Sequence, residues 1–201
     1  MPEQYFESNP NSEHNLQDWK FTLLGNELIF QTDNGVFSKT TVDYGSRVLI
    51  DTFNESDAPE GDILDLGCGY GPIGLSLAKV YSNRQITMSD VNNRALELAQ
   101  KNAKLNDINN VTCLESSVYE KINDKFAAIL TNPPIRAGKN IVSEMISKAK
   151  THLISGGSLW VVIQKKQGAP SAKKLMEETF GNAEIIKKDK GYYILKAINE
   201  D

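Results

Sequence analysis

The stretch DILDLGCGYGPIGLSLAK, residues 62–79, contains the signals that decide the fold of this chain. Its first residues, 62–67, form a short apolar run with the character of a buried strand. A glycine-rich turn follows and leads into PIGLSLAK, whose first residue, Pro72, suits the first turn of a helix. A buried strand that passes through a glycine turn into a helix is typical of a parallel sheet with helices on both faces.

The same alternation continues after this stretch. Further strands are predicted over 84–90, 110–116, 126–132 and 158–166, helices over 92–106, 140–153 and 170–180, and a closing hairpin over 183–198. Ser155, Gly156 and Gly157 are read as the stop signal of the second of these helices. The expected fold class is α/β, with a seven-stranded, mostly parallel sheet and a closing antiparallel hairpin.

The part of the chain before the glycine turn is less regular. Residues 1–15 are polar and acidic, which predicts a flexible tail. Residues 16–40 predict a small β-hairpin and a cover segment, because apolar residues alternate on both sides of Gly25 and Asn26. Asp43 is a candidate cap for a helix that follows. We therefore expect one domain over 16–201.

Composition excludes several classes of protein. The 201 residues carry a net charge of −4 and are 40% hydrophobic, as in an ordinary folded domain. No apolar run approaches the roughly 20 residues of a membrane span, and the start resembles no signal peptide. Cys68 and Cys113 provide no disulfide framework, and two histidines make a metal site improbable. We expect a cytoplasmic protein without metal or membrane partner.

Charge is unevenly distributed along the chain. Residues 133–201 carry 12 Lys and Arg against 7 Asp and Glu, whereas residues 1–132 carry 10 against 19. Exposed lysines are usually only solvated. A basic surface for a polyanion such as RNA is the alternative. The lysines in question are Lys165, Lys166, Lys173, Lys174, Lys187, Lys188 and Lys190.

Ligands of parallel α/β sheets bind beyond the carboxyl ends of the strands. Those ends are Gly67, Asp90, Ser116 and Asn132. The turn after the first of them, residues 69–74, matches G-x-G-x-x-G, but such matches are common. Asp65 would repel a dinucleotide pyrophosphate, and an acid there suits a ligand with an ammonium group instead.

The stretch DLGCGYGPIGLSLA resembles the glycine motif of class I S-adenosylmethionine-dependent methyltransferases, which have a Rossmann-like fold. The resemblance implies that the turn binds the methionine part of S-adenosylmethionine, with S-adenosylhomocysteine as product. It also implies that Asp65 faces the cofactor amine, that Asp90 accepts bonds from both ribose hydroxyls, and that Ser117 lies near the adenine. From the residues alone, both acids could equally be turn or cap residues. The cofactor residues implied in this turn are Gly67, Gly69 and Gly71.

Residues 132–135, NPPI, follow the strand predicted over 126–132 and raise the question of what two prolines do at its end. They resemble the signature of methyltransferases that modify planar amines. The Asn132 side-chain oxygen and the Pro133 carbonyl could each accept one N–H of an exocyclic amine, while Pro134 helps to fix the corner. We predict that Asn132, Pro133 and Pro134 are the catalytic residues, acting by positioning rather than as a strong base. A simple strand end is the alternative.

The match departs from the signature at Ile135, where an aromatic residue is usual. An aromatic ring would stack on a target base, whereas Ile135 offers only apolar contact. Phe37 could stack in its place, or it could belong to the core. Arg136 and Lys139 are candidate contacts to phosphate or to a base edge. Ile135, Arg136 and Lys139 are thus the predicted substrate-binding residues.

NGVFSKTTVDYGSRVLI (34–50) and NPPIRAGK (132–139) together resemble the small-domain methyltransferases related to the 16S ribosomal RNA guanine-N2 methyltransferase. The resemblance implies that Phe37 and Asp43 cover the cofactor. It implies methylation of a guanine N2 in ribosomal RNA, in the small subunit or an assembly intermediate of it. Alternatives are methylation of adenine N6 or of a protein glutamine amide, or an RNA-binding module without activity.

Overall fold

The computed structural model of the protein describes residues 5–38 and 40–201, so residues 1–4 of the predicted tail and position 39 of the cover segment lie outside the described residues. Over the described part, the main sheet has seven strands in the order β5-β4-β3-β6-β7-β9-β8. The strands are β3 Ile63–Leu66, β4 Ile86–Asp90, β5 Val111–Glu115, β6 Phe126–Thr131, β7 Leu153–Gln164, β8 Glu184–Asp189 and β9 Tyr192–Ile198. The strands β5, β4, β3, β6 and β7 are parallel to their neighbours, and β9 pairs antiparallel with both β7 and β8. The predicted fold class is confirmed.

Each face of the sheet has its own hydrophobic core. Successive residues of a strand point to opposite faces, so Ile63 packs into one core and Leu64 and Leu66 pack into the other. All four residues of β3 are buried, which explains why its sequence is apolar without alternation. Helices α1 Tyr44–Thr52, α2 Pro72–Val80 and α3 Asn93–Leu105 contribute to the first core, and α4 Lys139–Ser147 and α5 Ala169–Phe180 to the second.

The order in which strands are added to the sheet changes direction at β3. From β3 it builds β4 and β5 on one side and then crosses to β6 and β7 on the other. Adjacent helices diverge at such a reversal and leave a crevice beyond the strand ends. The crevice lies where β3 and β6 are neighbours. It is beside the glycine turn and beside residues 132–135, which we call the proline corner.

The amino-terminal hairpin, β1 Gln17–Leu23 and β2 Asn26–Thr32, is fastened to α3 by two asparagine side chains. Asn102 is fully buried, accepts the Gln31 N–H at 2.7 Å and donates to the carbonyls of Gln31 and Tyr70. Asn106 makes the same pair of bonds with the backbone of Ile29. The hairpin is therefore connected through Asn102 to the backbone of the glycine turn.

Gly156 and Gly157 lie inside β7 and do not end a helix, so that prediction is wrong. α4 ends at Ser147, a short 3-10 turn covers Ala149–His152, and β7 begins at Leu153. The two glycines form an irregularity in the pairing of β6 with β7: Gly156 has φ +77°, and a Cβ on Gly157 would lie 2.9 Å from the Phe126 carbonyl oxygen. A glycine pair there marks a bulge, which resembles a helix stop in sequence.

Within the described residues, every helix is too short or too polar to cross a membrane.

Candidate active site

The carboxyl ends of β3, β4, β5 and β6 meet around one cavity of about 750 Å³. This cavity brings together residues predicted from the sequence on four separate strand ends. The predicted residues that line it are Phe37, Asp43, Gly67, Gly69, Asp90, Ser117, Asn132, Pro133, Pro134, Ile135 and Arg136. Asp65, Gly71 and Lys139 are outside its lining.

The glycine turn presents bare backbone to the cavity. Gly67 and Gly69 have φ of +73° and +57°, and a Cβ on Gly69 would meet nothing within 4 Å. Gly71 has a different role: it is the N-cap of α2, and a Cβ there would lie 2.9 Å from the Leu75 side chain. Gly67 and Gly69 thus leave room for a ligand, whereas Gly71 allows close packing within the helix start.

Asp65 is fully buried beneath this turn. Its Oδ2 accepts the Gly74 N–H at 2.8 Å, and its Oδ1 has no hydrogen-bond partner among the described residues. Burial raises the pKa of Asp65 to about 7, and the nearby charge of Asp90 adds to the rise. Asp65 thus supports the start of α2, and its contact with a cofactor amine stays a prediction.

We expect Asp65→Asn to gain stability over the wild type as pH rises. The folded state holds the Asp65 proton more tightly than the unfolded state, so ionisation costs nothing below pH about 4 and destabilises the fold increasingly up to pH about 7. Asparagine keeps an acceptor for the Gly74 N–H and does not ionise. Between pH 5 and pH 8, urea unfolding should show the free energy of unfolding of the variant rising by about 1 to 4 kcal/mol relative to that of the wild type. Asp62→Asn, at an exposed position nearby, is the control, and parallel pH curves for Asp65→Asn and wild type would contradict the expectation.

Asp90 ends β4 and borders the cavity. Its Oδ2 accepts the Gly69 N–H at 2.7 Å and its Oδ1 accepts the Asn92 N–H at 2.9 Å. Burial raises the pKa of Asp90, while these backbone donors counter part of the rise. Each carboxylate oxygen can accept two hydrogen bonds, so the carboxylate has capacity left for a ligand hydroxyl beyond its backbone donors.

The end of β5 offers one polar group to the cavity. Ser116 is buried, and its hydroxyl is engaged by the Val118 carbonyl at 3.1 Å and the Lys121 N–H at 3.1 Å. Ser117 is exposed at the cavity wall. Of the two serines, Ser117 is the one whose hydroxyl can reach a ligand.

The proline corner holds Asn132 in one orientation. The Asn132 Nδ2 donates to Asp43 Oδ2 at 2.8 Å and to Ser46 Oγ at 3.0 Å, which leaves its Oδ1 as the acceptor that faces the cavity. Asp43 also caps α1 by accepting the Ser46 N–H at 3.1 Å. The structure thus places Asp43 against Asn132 as well as at the cavity wall, whereas the resemblance implies a place over the cofactor.

Two of the three predicted substrate-binding residues line the cavity, and the third does not. Ile135 and Arg136 begin a short turn, Ile135–Ala137, and line the cavity, while Lys139 is exposed at the start of α4. Phe37 is 45% exposed and lines the cavity, so it does not belong to the buried core. Its ring lies 5.2 Å from that of Tyr5, centroid to centroid.

Residues 5–12, which fall in the predicted flexible tail, lie along the cavity and the start of α3. Tyr5 and Phe6 line the cavity, and the Asn92 side chain donates to the Tyr5 carbonyl at 2.7 Å. Arg94 donates to the carbonyls of Pro10 at 2.9 Å and Ser12 at 3.0 Å. We call residues 5–12 the amino-terminal strap. The adjacent aromatic pair in an otherwise polar segment was the signal in the sequence that could have revealed it.

Two further cavity residues come from the end of the chain. Gln164, the last residue of β7, and Tyr192, the first of β9, pair in the sheet and both line the cavity. The Gln164 Nε2 donates to the Tyr192 Oη at 2.8 Å. Neither residue belongs to a motif near the glycine turn, so sequence reasoning missed them.

The cavity fits the predicted cofactor. The open space over Gly69 suits the methionine part, and the Asp90 carboxylate at the cavity wall suits a ribose diol. Ser117 and the apolar Ile73 and Val118 provide the walls of the remaining part. Among the described residues, there is no group of three or more His, Cys, Asp or Glu side chains that could hold a metal ion.

A glycine turn after β3, an acid at the end of β4 and an Asn-Pro-Pro corner after β6 meet at one cavity, as is typical of a methyltransferase. The chain matches the family model "Methyltransferase small domain" over residues 27–196 and belongs to that family. The predicted family is confirmed, and so is S-adenosylmethionine as its methyl donor.

Three known proteins illustrate the relationship. The uncharacterized protein YbxB of Bacillus subtilis is 51% identical over 199 residues, which is 98% of each chain. Ribosomal RNA small subunit methyltransferase C of Actinobacillus pleuropneumoniae serotype 7 is 33% identical over 89% of this chain and 54% of its own. The 16S rRNA N2 G1207 methyltransferase of T. thermophilus, solved with AdoMet and guanosine, has a TM-score of 0.83 at 26% identity and is covered over 50% of its length. The chain therefore spans about half the length of the last two proteins.

Proposed function

We propose that the protein transfers a methyl group from S-adenosylmethionine to the exocyclic N2 of a guanine in ribosomal RNA of the small subunit. The observation that carries this proposal is the fixed amide of Asn132. Its nitrogen is held by Asp43 and Ser46, so its oxygen is turned toward the cavity before any substrate arrives. The names of the ribosomal RNA methyltransferases similar to this chain support the same substrate class.

An exocyclic amine is a poor nucleophile because its lone pair is conjugated with the ring. Two acceptors at the corner, Asn132 Oδ1 and the Pro133 carbonyl, suit its two N–H bonds. Holding both N–H bonds favours a pyramidal nitrogen whose lone pair is free for reaction. The sulfonium of the bound cofactor supplies a methyl group that is already activated, so positioning at Asn132 is the main contribution of the chain.

The corner can take only a base that is unstacked from its neighbours. We propose a loop, or a small subunit that is not completely assembled, as the substrate. Exposed basic side chains at the cavity mouth suit the flanking phosphates: Arg136 lies at the corner, and Lys165 and Lys166 follow Gln164 directly. Lys173 and Lys174 pair with Glu177 and Glu178 on α5, so they are less available for RNA.

Methyl transfer with labelled S-adenosylmethionine tests the proposal. The acceptors are small ribosomal subunits and 16S rRNA from a strain without the protein, with DNA and total protein as parallel acceptors. We expect label in 16S rRNA only, and mass spectrometry of the digested RNA should show N2-methylguanosine at a position that is unmodified in the deletion strain. Asn132→Ala is the control for contaminating enzymes. Label in adenine or in protein glutamine would refute the proposed acceptor, and cofactor binding without transfer to any acceptor would favour an inactive RNA-binding module.

A further inference from the structure

The Asn132 corner by itself does not distinguish one aminopurine from another. Guanine N2 and adenine N6 both offer two N–H bonds to a pair of acceptors. The two bases differ in the groups beside the amine: guanine has an N1–H donor and an O6 acceptor, whereas adenine has a bare N1. A site that selects guanine therefore needs an acceptor and a donor next to the corner.

We infer that Gln164 and Tyr192 form this base-reading pair, with the Gln164 Oε1 accepting the guanine N1–H and the Tyr192 hydroxyl donating to O6. The Gln164 Nε2 donates to the Tyr192 Oη at 2.8 Å, which leaves the amide oxygen free to accept and the hydroxyl hydrogen free to donate. Both side chains line the cavity that contains Asn132. The inference rests on the proposed function, because it names the residues that select its base.

The position of the pair supports this role. β7 lies next to β6 in parallel register, so Gln164 and Asn132 follow neighbouring strands at the same edge of the sheet. The Tyr192 ring packs directly against the Gly45 backbone, where an added Cβ would lie 2.8 Å from the ring and 3.1 Å from Asp43 Oδ2. Asp43 in turn holds Asn132. A side chain at position 45 would therefore push apart the corner and the base-reading pair.

The test measures nucleoside binding, so it does not require the RNA target to be known. The full chain is saturated with S-adenosylhomocysteine and titrated by NMR with guanosine, adenosine and 2-aminopurine riboside, which has the N2 amine but neither O6 nor N1–H. Wild type should bind guanosine about tenfold or more tighter than the other two. Tyr192→Phe, which removes only the hydroxyl, should weaken guanosine binding about tenfold and change 2-aminopurine riboside binding less than twofold.

Tyr193→Phe is the matched control, because Tyr193 packs against the opposite core and is outside the cavity lining. Gln164→Leu is a second variant that should show the same selective loss, and thermal unfolding checks that each variant is folded. A Tyr192→Phe variant that keeps the full preference for guanosine over 2-aminopurine riboside would overturn the inference and leave the proposed function standing. A wild type without preference for guanosine, together with no methylation of RNA guanine, would overturn both.

Discussion

Asn132→Ala is expected to lower turnover about 10²- to 10³-fold while leaving the affinity for S-adenosylmethionine within about twofold of wild type. In the proposed reaction the Asn132 oxygen accepts a hydrogen bond from the target amine, and the Asn132 nitrogen is already used by Asp43 and Ser46. Alanine removes the acceptor without altering the glycine turn or Asp90, which lie at other strand ends. Single-turnover methylation of 16S rRNA and calorimetric titration with the cofactor measure the two quantities.

Asn140→Ala provides the matched control for this experiment. Asn140 is exposed in α4, a few residues beyond the corner, and its removal should change neither quantity. Turnover of Asn132→Ala close to that of wild type would show that the corner is only a strand end. A large loss of cofactor affinity in the same variant would mean that Asn132 holds the cofactor rather than the acceptor.

Asp90→Ala should weaken S-adenosylmethionine binding about 100-fold, with turnover at saturating cofactor reduced only a few-fold. The expected loss combines two charge-assisted hydrogen bonds to a diol with the loosening of the Gly69 N–H that the carboxylate now holds at 2.7 Å. Calorimetry with S-adenosylmethionine and with its 2′-deoxy analogue measures the loss of affinity. The affinity for the analogue should fall less on mutation. Asp51→Ala, on the exposed side of α1, is the control. Equal affinity in Asp90→Ala and wild type would remove Asp90 from the cofactor site.

Most of the fold could be predicted from local patterns in the sequence. The apolar runs, the glycine turn and the periodic helix over 92–106 each depend on neighbours along the chain, and parallel pairing then places their ends at one edge. That rule alone predicts that Gly67, Asp90 and Asn132 lie at the same edge of the sheet. Gly156 and Gly157 were misread because a strand bulge and a helix stop use the same residue.

The orientation of the side chains in the site depends on contacts between distant segments. Such contacts cannot be read from the pattern of a single sequence. Asp43 and Asn132 are 89 positions apart, yet their hydrogen bond decides which end of the Asn132 amide is left free to accept. Asp65 and Asp90 are the same residue type in similar motifs, but only Asp90 borders the cavity. Tyr192 has no motif around it, and Tyr5 is marked only by its aromatic neighbour Phe6 in a polar segment.

The amino-terminal strap and Tyr192 of β9 both line the cavity, so its wall is complete only when these distant segments have packed together. The cavity wall therefore depends on packing between distant segments as well as on the glycine turn. Limited proteolysis within the strap should therefore lower methyl transfer while the sheet, which contains no strap residue, remains folded.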